Sequence, residues 1–458
     1  MHFYQRRFFA YLHGSPNLHT LNTVSSHTYT LVTTDRCVSL LRYGDEGYSL
    51  QKLEIGTNLN DEVEIMASAV FERSAMLQSQ IAVAYAVGES FFLQIVSYHD
   101  DCLGNVVDCG KFEIEAASAC MFSVKAAGLN GDIFYGVIVC CTDVVMAFGY
   151  IENERDTSTT TSSAVCTRLD NEQLALYFSE LATFSHTILT VDVFTTPEKD
   201  QGWVALGCAD GLVRVLHGSM HRGCLGGPYK SKDVQQNGPV TSVALFPQQT
   251  FSMENESSTW ICNMLVTCAI GQAVVYEDLY STSDEDWNNE VLMDSDTFDT
   301  ILVGITADID FDGKVELLLG TDSQVMLAYK MSTDIDEEVT EDVKSDVYSN
   351  DSASPSSHDS SHNIWNDIET MSDTGEKSCP SELARSLIPR RKWHRLSRRH
   401  WNLETFGYIY SLLWRDINDD GVPELIIASS TGIYVYEADP IFVIDKLRNV
   451  LAALEIST

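Results

Sequence analysis

Three aspartates on alternate residues, Asp308, Asp310 and Asp312, stand ahead of Gly313 in the stretch TADIDFDGKVELLLGT (306–321). Oxygen ligands at the first, third and fifth places of such a loop can converge on a hard divalent cation, because glycine at the sixth lets the chain turn back sharply. A second stretch repeats the arrangement. Asp416, Asn418 and Asp420 precede Gly421, and Phe298 and Phe406 each stand ten residues ahead of the first aspartate. An EF-hand would carry glutamate at the twelfth place, whereas here that place is Leu319 or Ile427, inside an apolar strand-like run. The same residues also suit an ion-free turn in which carboxylates accept backbone N–H groups. Both readings stand.

Other reactive constellations are weaker. His217, His221 and Cys224 lie around Gly218 and Gly223 with no second ligand pair nearby, which reads as a turn rather than a zinc site. The chain lacks the contexts of a nucleophile elbow, a zinc-protease helix, a phosphate loop or a dinucleotide fingerprint. Acidic pairs are abundant, but at 66 acidic residues they arise by chance. The expectation is a protein that is not an enzyme, has no catalytic residues and requires no cofactor.

Composition narrows the class further. The 458 residues carry 29 bases against those 66 acids, a formal charge of −37 that repels nucleic acid and anionic membrane surfaces. The N-terminal MHFYQRRFFAYLHG has no apolar signal-peptide core. The most apolar stretch, residues 133–151, holds Asp143 at its centre and reads as a hairpin, so no transmembrane segment is expected. Twelve cysteines occur without CxxC spacing, and Cys140, Cys141, Cys208, Cys262 and Cys268 fall in or beside strand-like runs. Such burial fits reduced thiols and a cytoplasmic protein.

The elements that must position the aspartate loops are strands. Paired apolar runs turn near Asp35, Gly88, Thr142, Asp210, Gly271, Asp322 and Thr431, at intervals of 53, 54, 68, 61, 51 and 109 residues. The last interval contains an acidic, serine-rich segment that cannot bury enough apolar surface to offset its ordering entropy. Removing its roughly 53 residues restores the period. The spacing predicts an all-β fold, a seven-bladed β-propeller with a disordered acidic insert and a C-terminal helix. The alternative is two packed β-domains divided near residue 160. The expected boundaries are 1–331 for six blades, 332–384 for the insert, 385–438 for a basic segment and the last blade, and 439–458 for an amphipathic helix.

In that helix Asp439 suits the N-cap and Pro440 the first turn, with Ile444, Leu447, Leu451 and Leu454 on one face. The simplest expectation docks this face on the propeller; the alternative is a free, partner-binding helix. The basic segment 385–401 holds seven of the 29 lysines and arginines. It either docks an acidic partner or offsets the neighbouring insert, and its opposite sign favours the second.

Two resemblances follow from these motifs. The doubled loop, with its last acid at the ninth place and a strand following, resembles the FG-GAP repeat of integrin-α-type propellers, whose loops often carry Ca²⁺. That resemblance implies one ligand set of Asp308, Asp310, Asp312 and Glu316, and a second of Asp416, Asn418, Asp420 and Glu424. The backbone carbonyls of Lys314 and Val422 would add an oxygen to each. The runs ALGCADGLVRVLHG, NGPVTSVALF, LVTCAIGQAVVYEDL and DINDDGVPELIIASSTGIYVYE, in this order and spacing, are similar to the kaptin family from about Ala205 to Glu437. The resemblance implies a non-enzymatic propeller subunit of a KICSTOR-type complex, with a large scaffold protein and a second FG-GAP propeller as partners. Through a GATOR-type GTPase-activating complex at the lysosomal surface, such a subunit restrains TOR signalling on nutrient deprivation. The family also implies an alternative, association with actin filaments. The acidic insert is longer than the family needs, and the basic segment after it is unusual.

Overall fold

The computed structural model describes residues 4–333 and 391–456, apart from 13, 23–27, 56–62, 74–77, 99–105, 129–131, 143, 154–164, 197–200, 222–223, 226–228, 253–256, 280–286, 397–402 and 404–406. Seven antiparallel sheets follow one another along the chain. The first comprises Asn17–Asn22, Thr28–Thr33, Val38–Gly44 and Gly47–Leu53; the second Val63–Arg73, Gln78–Val87, Ser90–Tyr98 and Val106–Ile114. The third comprises Ser118–Ala127, Asp132–Cys141, Val145–Asn153 and Thr167–Arg168; the fourth Ile188–Thr195, Gln201–Cys208, Leu212–His221 and Lys230–Gln235, with the short Cys224–Leu225 also paired to its third strand. The fifth comprises Val240–Ser252, Ser257–Cys268, Val274–Tyr276 and Asn289–Val291. The sixth comprises Ile301–Ala307, Glu316–Thr321, Met326–Thr333 and Arg391–Arg395; the seventh Ile409–Arg415, Glu424–Ser429, Gly432–Ala438 and Tyr4–Tyr11.

First strands of successive sheets touch each other in a closed circuit, from the first blade round to the seventh and back. That circuit makes the molecule a seven-bladed β-propeller, and each hairpin read from the sequence is the second and third strand of one blade. Two strands sit outside the blades expected for them. Arg391–Arg395 completes blade six, not blade seven, and blade seven takes its outer strand from Tyr4–Tyr11, which pairs with Gly432–Ala438. Of the expected insert, Ser332 and Thr333 end the third strand of blade six, and residues 334–384 lie outside the described residues.

The core is distributed over the faces between blades. Blades two and three share Phe71, Leu93, Ile95, Val137, Val139 and Phe148. Blades five and six share Leu265, Val275, Leu317, Leu319, Tyr329 and Trp393. A register shift recurs near the start of the inner strand in blades two to seven, as at Ile65/Ala67, Ile301/Val303 and Ile409/Ser411. A bulge at that place adds local twist and bends each inner strand where it begins. Between blades three and four two short helices, Asn171–Tyr177 and Ser179–Ala182, pack Tyr177 and Phe178 beside Phe134. Asp170 and Gln173 form a capping box at the first of them, a D-x-x-Q signal that the strand-dominated reading passed over.

Among the described side chains of the C-terminal helix, Pro440–Ile456, those of its first turn join the propeller. Phe442 lies 6.1 Å from Phe311, and Val443 packs on the cluster between blades six and seven. Ile444, Leu447 and Leu451 are 47%, 57% and 60% exposed, so the expected docking of that face does not occur. The reason is angular: Phe442 and Val443, not the 444–447–451 stripe, meet blade six and its loop.

Polar clasps bridge adjacent inner strands. Ser242 Oγ donates to the Gly304 carbonyl at 3.2 Å, tying blade five to blade six, and the Leu245 N–H donates to Asp192 Oδ2 at 2.7 Å, tying blade four to blade five. Burial pushes the Asp192 carboxyl up to about 6 from the ordinary 3.8, against the pull of the Leu245 and Val193 N–H groups. The folded chain therefore holds this proton through a pH range in which the unfolded chain has lost it. Stability from this group is fully present below about pH 4 and declines as pH rises to about 6. Asp192→Asn should flatten that part of a pH–denaturation profile, whereas Asp192→Ala should cost about 1–3 kcal/mol in urea unfolding by leaving the Leu245 N–H unpaired.

Candidate functional site: paired aspartate loops

Each aspartate loop joins the first and second strands of its blade, in blades six and seven. The two backbones match. Phe311 and Asp419, at the fourth place, have φ of 56° and 59°, and Gly313 and Gly421, at the sixth, have 81° and 85°. Only glycine takes such values without steric cost, which fixes the sixth place. Gly313 N–H donates to Asp308 Oδ2 at 2.9 Å, and Gly421 N–H to Asp416 Oδ2 at 2.8 Å. The Lys314 and Val422 N–H groups donate to Asp312 and Asp420. At the far end the Ile309 N–H reaches Glu316 Oε2 at 2.9 Å, and the Ile417 N–H reaches Glu424 Oε2 at 2.8 Å. Both glutamates are buried, at 0% and 1% exposure. The structure gathers Asp308, Asp310 and Glu316 into one small carboxylate cluster and Asp416, Asp420 and Glu424 into another, while Asp312 meets Lys330 and the Asn418 side chain donates to Asp420.

The clusters differ in what faces them. In blade six Lys330 pairs directly across from Glu316. Its Nζ lies 2.6 Å from Asp310 Oδ2, 2.6 Å from Asp312 Oδ2 and 3.0 Å from Glu316 Oε1. An ammonium therefore occupies the place where an FG-GAP-like loop would hold a cation. Partial burial opposes the charge on Lys330, but hydrogen bonds to Asp310 and Asp312 outweigh it and raise its pKa. Burial also works against ionised Asp312, yet Lys330 and the Lys314 N–H bring it below its ordinary value. Burial first, and then Asp310, push Glu316 up to about 7.

In blade seven Leu425 pairs with Tyr436 as Leu317 pairs with Tyr329, so Glu437 holds the register place of Lys330. Among the described residues no ammonium stands there. Glu437 turns to Arg7 Nε at 2.9 Å and accepts from the Tyr48 hydroxyl at 2.7 Å. Burial, with Asp416, Asp420 and Glu437 adding to it, pushes Glu424 up to about 8 against the pull of the Ile417 N–H. The internal hydrogen bonding shifts too. The Asp312 N–H goes back to Asp308 Oδ1 at 3.0 Å, but the corresponding Asp420 N–H goes to Asn418 Oδ1 at 2.9 Å. Asp416 Oδ1 is consequently buried without a hydrogen-bond donor. Asp310 Oδ1 also lacks one, but that carboxylate already carries Lys330 on its other oxygen.

Oxygens of Asp416, Asp420 and Glu424 lie within 4.8 Å of one another, as do those of Asp308, Asp310 and Glu316. The donor set of blade seven, hard oxygens with one orphaned carboxylate atom, fits a divalent cation. That of blade six does not fit one, because its centre is taken by Lys330. Sequence reasoning treated the loops as equals and missed Lys330 and Glu437. The signal lay one strand further on, in Tyr329–Lys330 against Tyr436–Glu437.

The remaining nominated groups are structural where they are described. His217 stacks on Trp203 with ring centres 4.6 Å apart and meets Gln201 Oε1 at 2.9 Å. Within the basic segment, Trp393 is 4% exposed and its backbone N–H donates to Glu290 Oε1, so residues 391–395 are blade, not a free docking arm. Burial raises the thiols of Cys120 and Cys208 to about 12 and those of Cys141 and Cys268 to about 11, which suits inert core positions. A cavity of about 180 Å³ between blades three and four is mainly apolar, lined by Phe122, Val124, Phe178, Leu181 and Trp203.

Seven four-stranded blades in a closed circuit, with paired aspartate loops on the last two, define a seven-bladed β-propeller. The chain belongs to the kaptin family: the family described as "KICSTOR complex protein kaptin" matches residues 163–448, from before blade four to the C-terminal helix. Mouse (Mus musculus) KICSTOR complex protein kaptin is 33% identical over 154 residues, 33% of this chain and 35% of the mouse protein, so the aligned stretch spans about a third of that relative. Among solved structures, BBS1N in complex with ARL6DN aligns over 96% of this chain and 98% of that one, with 12% identity and a TM-score of 0.46. The Nup170 NTD of Chaetomium thermophilum, in complex with Nup53, aligns over 96% and 62%, with 10% identity and a TM-score of 0.40. Scores below 0.5 at such identities carry no argument.

Lys330→Met removes the counter-charge of three carboxylates. It should destabilise the protein by about 2–3 kcal/mol, between the values for exposed and fully buried ion pairs. Urea unfolding at pH 7.5 checks this, with a smaller loss expected at pH 5, where Glu316, pushed up to about 7, has taken up its proton.

Proposed function

We propose that this chain is a non-enzymatic scaffold propeller, a kaptin-like subunit of a KICSTOR-type complex. In this role it joins a large scaffold protein and a second propeller. It thereby helps to bring a GATOR-type GTPase-activating complex to the lysosomal surface, which restrains TOR signalling when nutrients fall. The observation that carries this reading is the family match over residues 163–448, which includes both aspartate loops. Broad loop-built faces on a rigid ring suit partner proteins. No helix among the described residues is long and apolar enough to cross a membrane, which fits peripheral recruitment. Affinity purification of the tagged full chain from starved cells should recover the large scaffold and the second propeller. Recovery of actin without them would favour the cytoskeletal alternative instead.

Within this function the loop of blade seven, through Asp416, Asn418, Asp420 and Glu424, holds a calcium ion. Its role is to secure the blade that closes the ring. The orphaned Asp416 Oδ1 and the absence of an ammonium opposite Glu424 support this assignment. Millimolar Ca²⁺ should raise the melting temperature of the purified chain by several degrees, and Glu424→Gln should abolish the shift. An equal shift in the Glu424→Gln protein would assign the effect elsewhere.

A further inference from the structure

The third strand of blade six presents one side chain to its aspartate loop. Lys330 pairs across from Glu316, and its ammonium reaches Asp310, Asp312 and Glu316 together. A residue at that register place is therefore set to meet the loop. In blade seven the place belongs to Glu437, because Leu425 pairs with Tyr436 as Leu317 pairs with Tyr329. Its surroundings confirm the nearness. The Tyr48 hydroxyl donates to Glu437 Oε1 at 2.7 Å, and the Asn418 amide of the loop interacts with the same hydroxyl. The charge of Glu437 is also felt at Glu424.

The two side chains can do opposite things from one place. Lysine fills the middle of its loop with its own cation. Glutamate is one bond shorter and ends in acceptor oxygens, so it can add a ligand to an ion but cannot replace one. Its existing bonds leave that capacity intact. Arg7 Nε takes Oε2 at 2.9 Å and Tyr48 takes Oε1, and each carboxylate oxygen keeps a second lone pair. Carboxylates that bind metal are ordinarily steadied by hydrogen bonds of this kind. Asp416 Oδ1, buried without a donor in the same loop, is a further oxygen open to an ion.

We infer that Glu437 is a fifth protein side chain on the calcium ion of the blade-seven loop, beside Asp416, Asn418, Asp420 and Glu424. Its register place decides which aspartate loop takes an ion: glutamate admits one, and lysine supplants it. The inference rests on the calcium reading of that loop.

The test titrates terbium, a hard oxygen-seeking ion whose luminescence reports its own ligands, into the purified full chain. Decay rates in water and in heavy water count the water molecules bound to it. Glu424→Gln sets the background from the other acids of the chain, and melting in EDTA verifies that each variant is folded. The unaltered chain should show a saturable site above that background, emptied by competing Ca²⁺. In Glu437→Ala the affinity should fall by about tenfold or more, and the ion should gain a water in place of the lost carboxylate. Arg7→Ala removes the ion pair of Glu437 but not its carboxylate, so the bound waters should stay as they were. In Glu437→Lys the site should vanish, since an ammonium then stands as Lys330 does in blade six. A water count that Glu437→Ala leaves unchanged overturns the inference: Glu437 then only braces Arg7 and Tyr48, and the calcium reading survives. Terbium binding retained by Glu437→Lys overturns it too, as does a water gained equally in Arg7→Ala. If the unaltered chain gives no more signal than Glu424→Gln, the calcium reading itself falls and takes the inference with it.

Discussion

The ammonium of Lys330, set among Asp310, Asp312 and Glu316, is the interaction on which the neighbouring architecture depends. Four carboxylates within one short loop would repel one another, and burial would sharpen the repulsion. A lysine supplied by the third strand of the same blade removes the conflict from within the chain. The loop can then hold Phe311 in a left-handed conformation that an aromatic residue rarely adopts, and Phe311 meets Trp414 of blade seven and Phe442 of the terminal helix. A single side chain thus sets the geometry of one blade connection, one blade interface and the root of the helix.

Blade seven solves the same problem in another way. It substitutes Asn418 for one aspartate, carries Glu424 with a strongly raised pKa, and uses the position of Lys330 for Glu437, which faces Arg7 and Tyr48. Its third strand therefore serves the junction with the N-terminal strand and blade one. The duplicated motif has been divided between two tasks: self-contained bracing in blade six and ring closure in blade seven.

Much of this was legible in the sequence, for identifiable reasons. Strand pairs with glycine or aspartate turns encode the second and third strands of every blade, because those strands are apolar on both faces and their turns are tight. The repeated D-x-D/N-x-D-G loops revealed their own backbone, since the glycine and the spacing fix φ. Other features were not legible. The inner-strand bulges leave no compositional mark. The outer strands Arg391–Arg395 and Tyr4–Tyr11 pair across 57 or more intervening residues, or across nearly the whole chain, and local pattern carries no information about such partners. Lys330 was hidden for a related reason: a residue twenty places from Asp310 becomes its neighbour only through strand register. The C-terminal helix was legible as a helix but not in its orientation, because an apolar stripe does not specify which surface meets it.

The joining of Tyr4–Tyr11 to Gly432–Ala438 has a consequence for how the protein is made. During synthesis Tyr4–Tyr11 leaves the ribosome long before its mate exists, and blade one has no neighbour on that side until blade seven has been made. The nascent circle stays open for that whole interval, with an unpaired strand edge at one end and an apolar blade face at the other. A chaperone that shelters open β-edges during elongation would therefore matter more to the yield of this protein than to that of a propeller closed within a single hairpin.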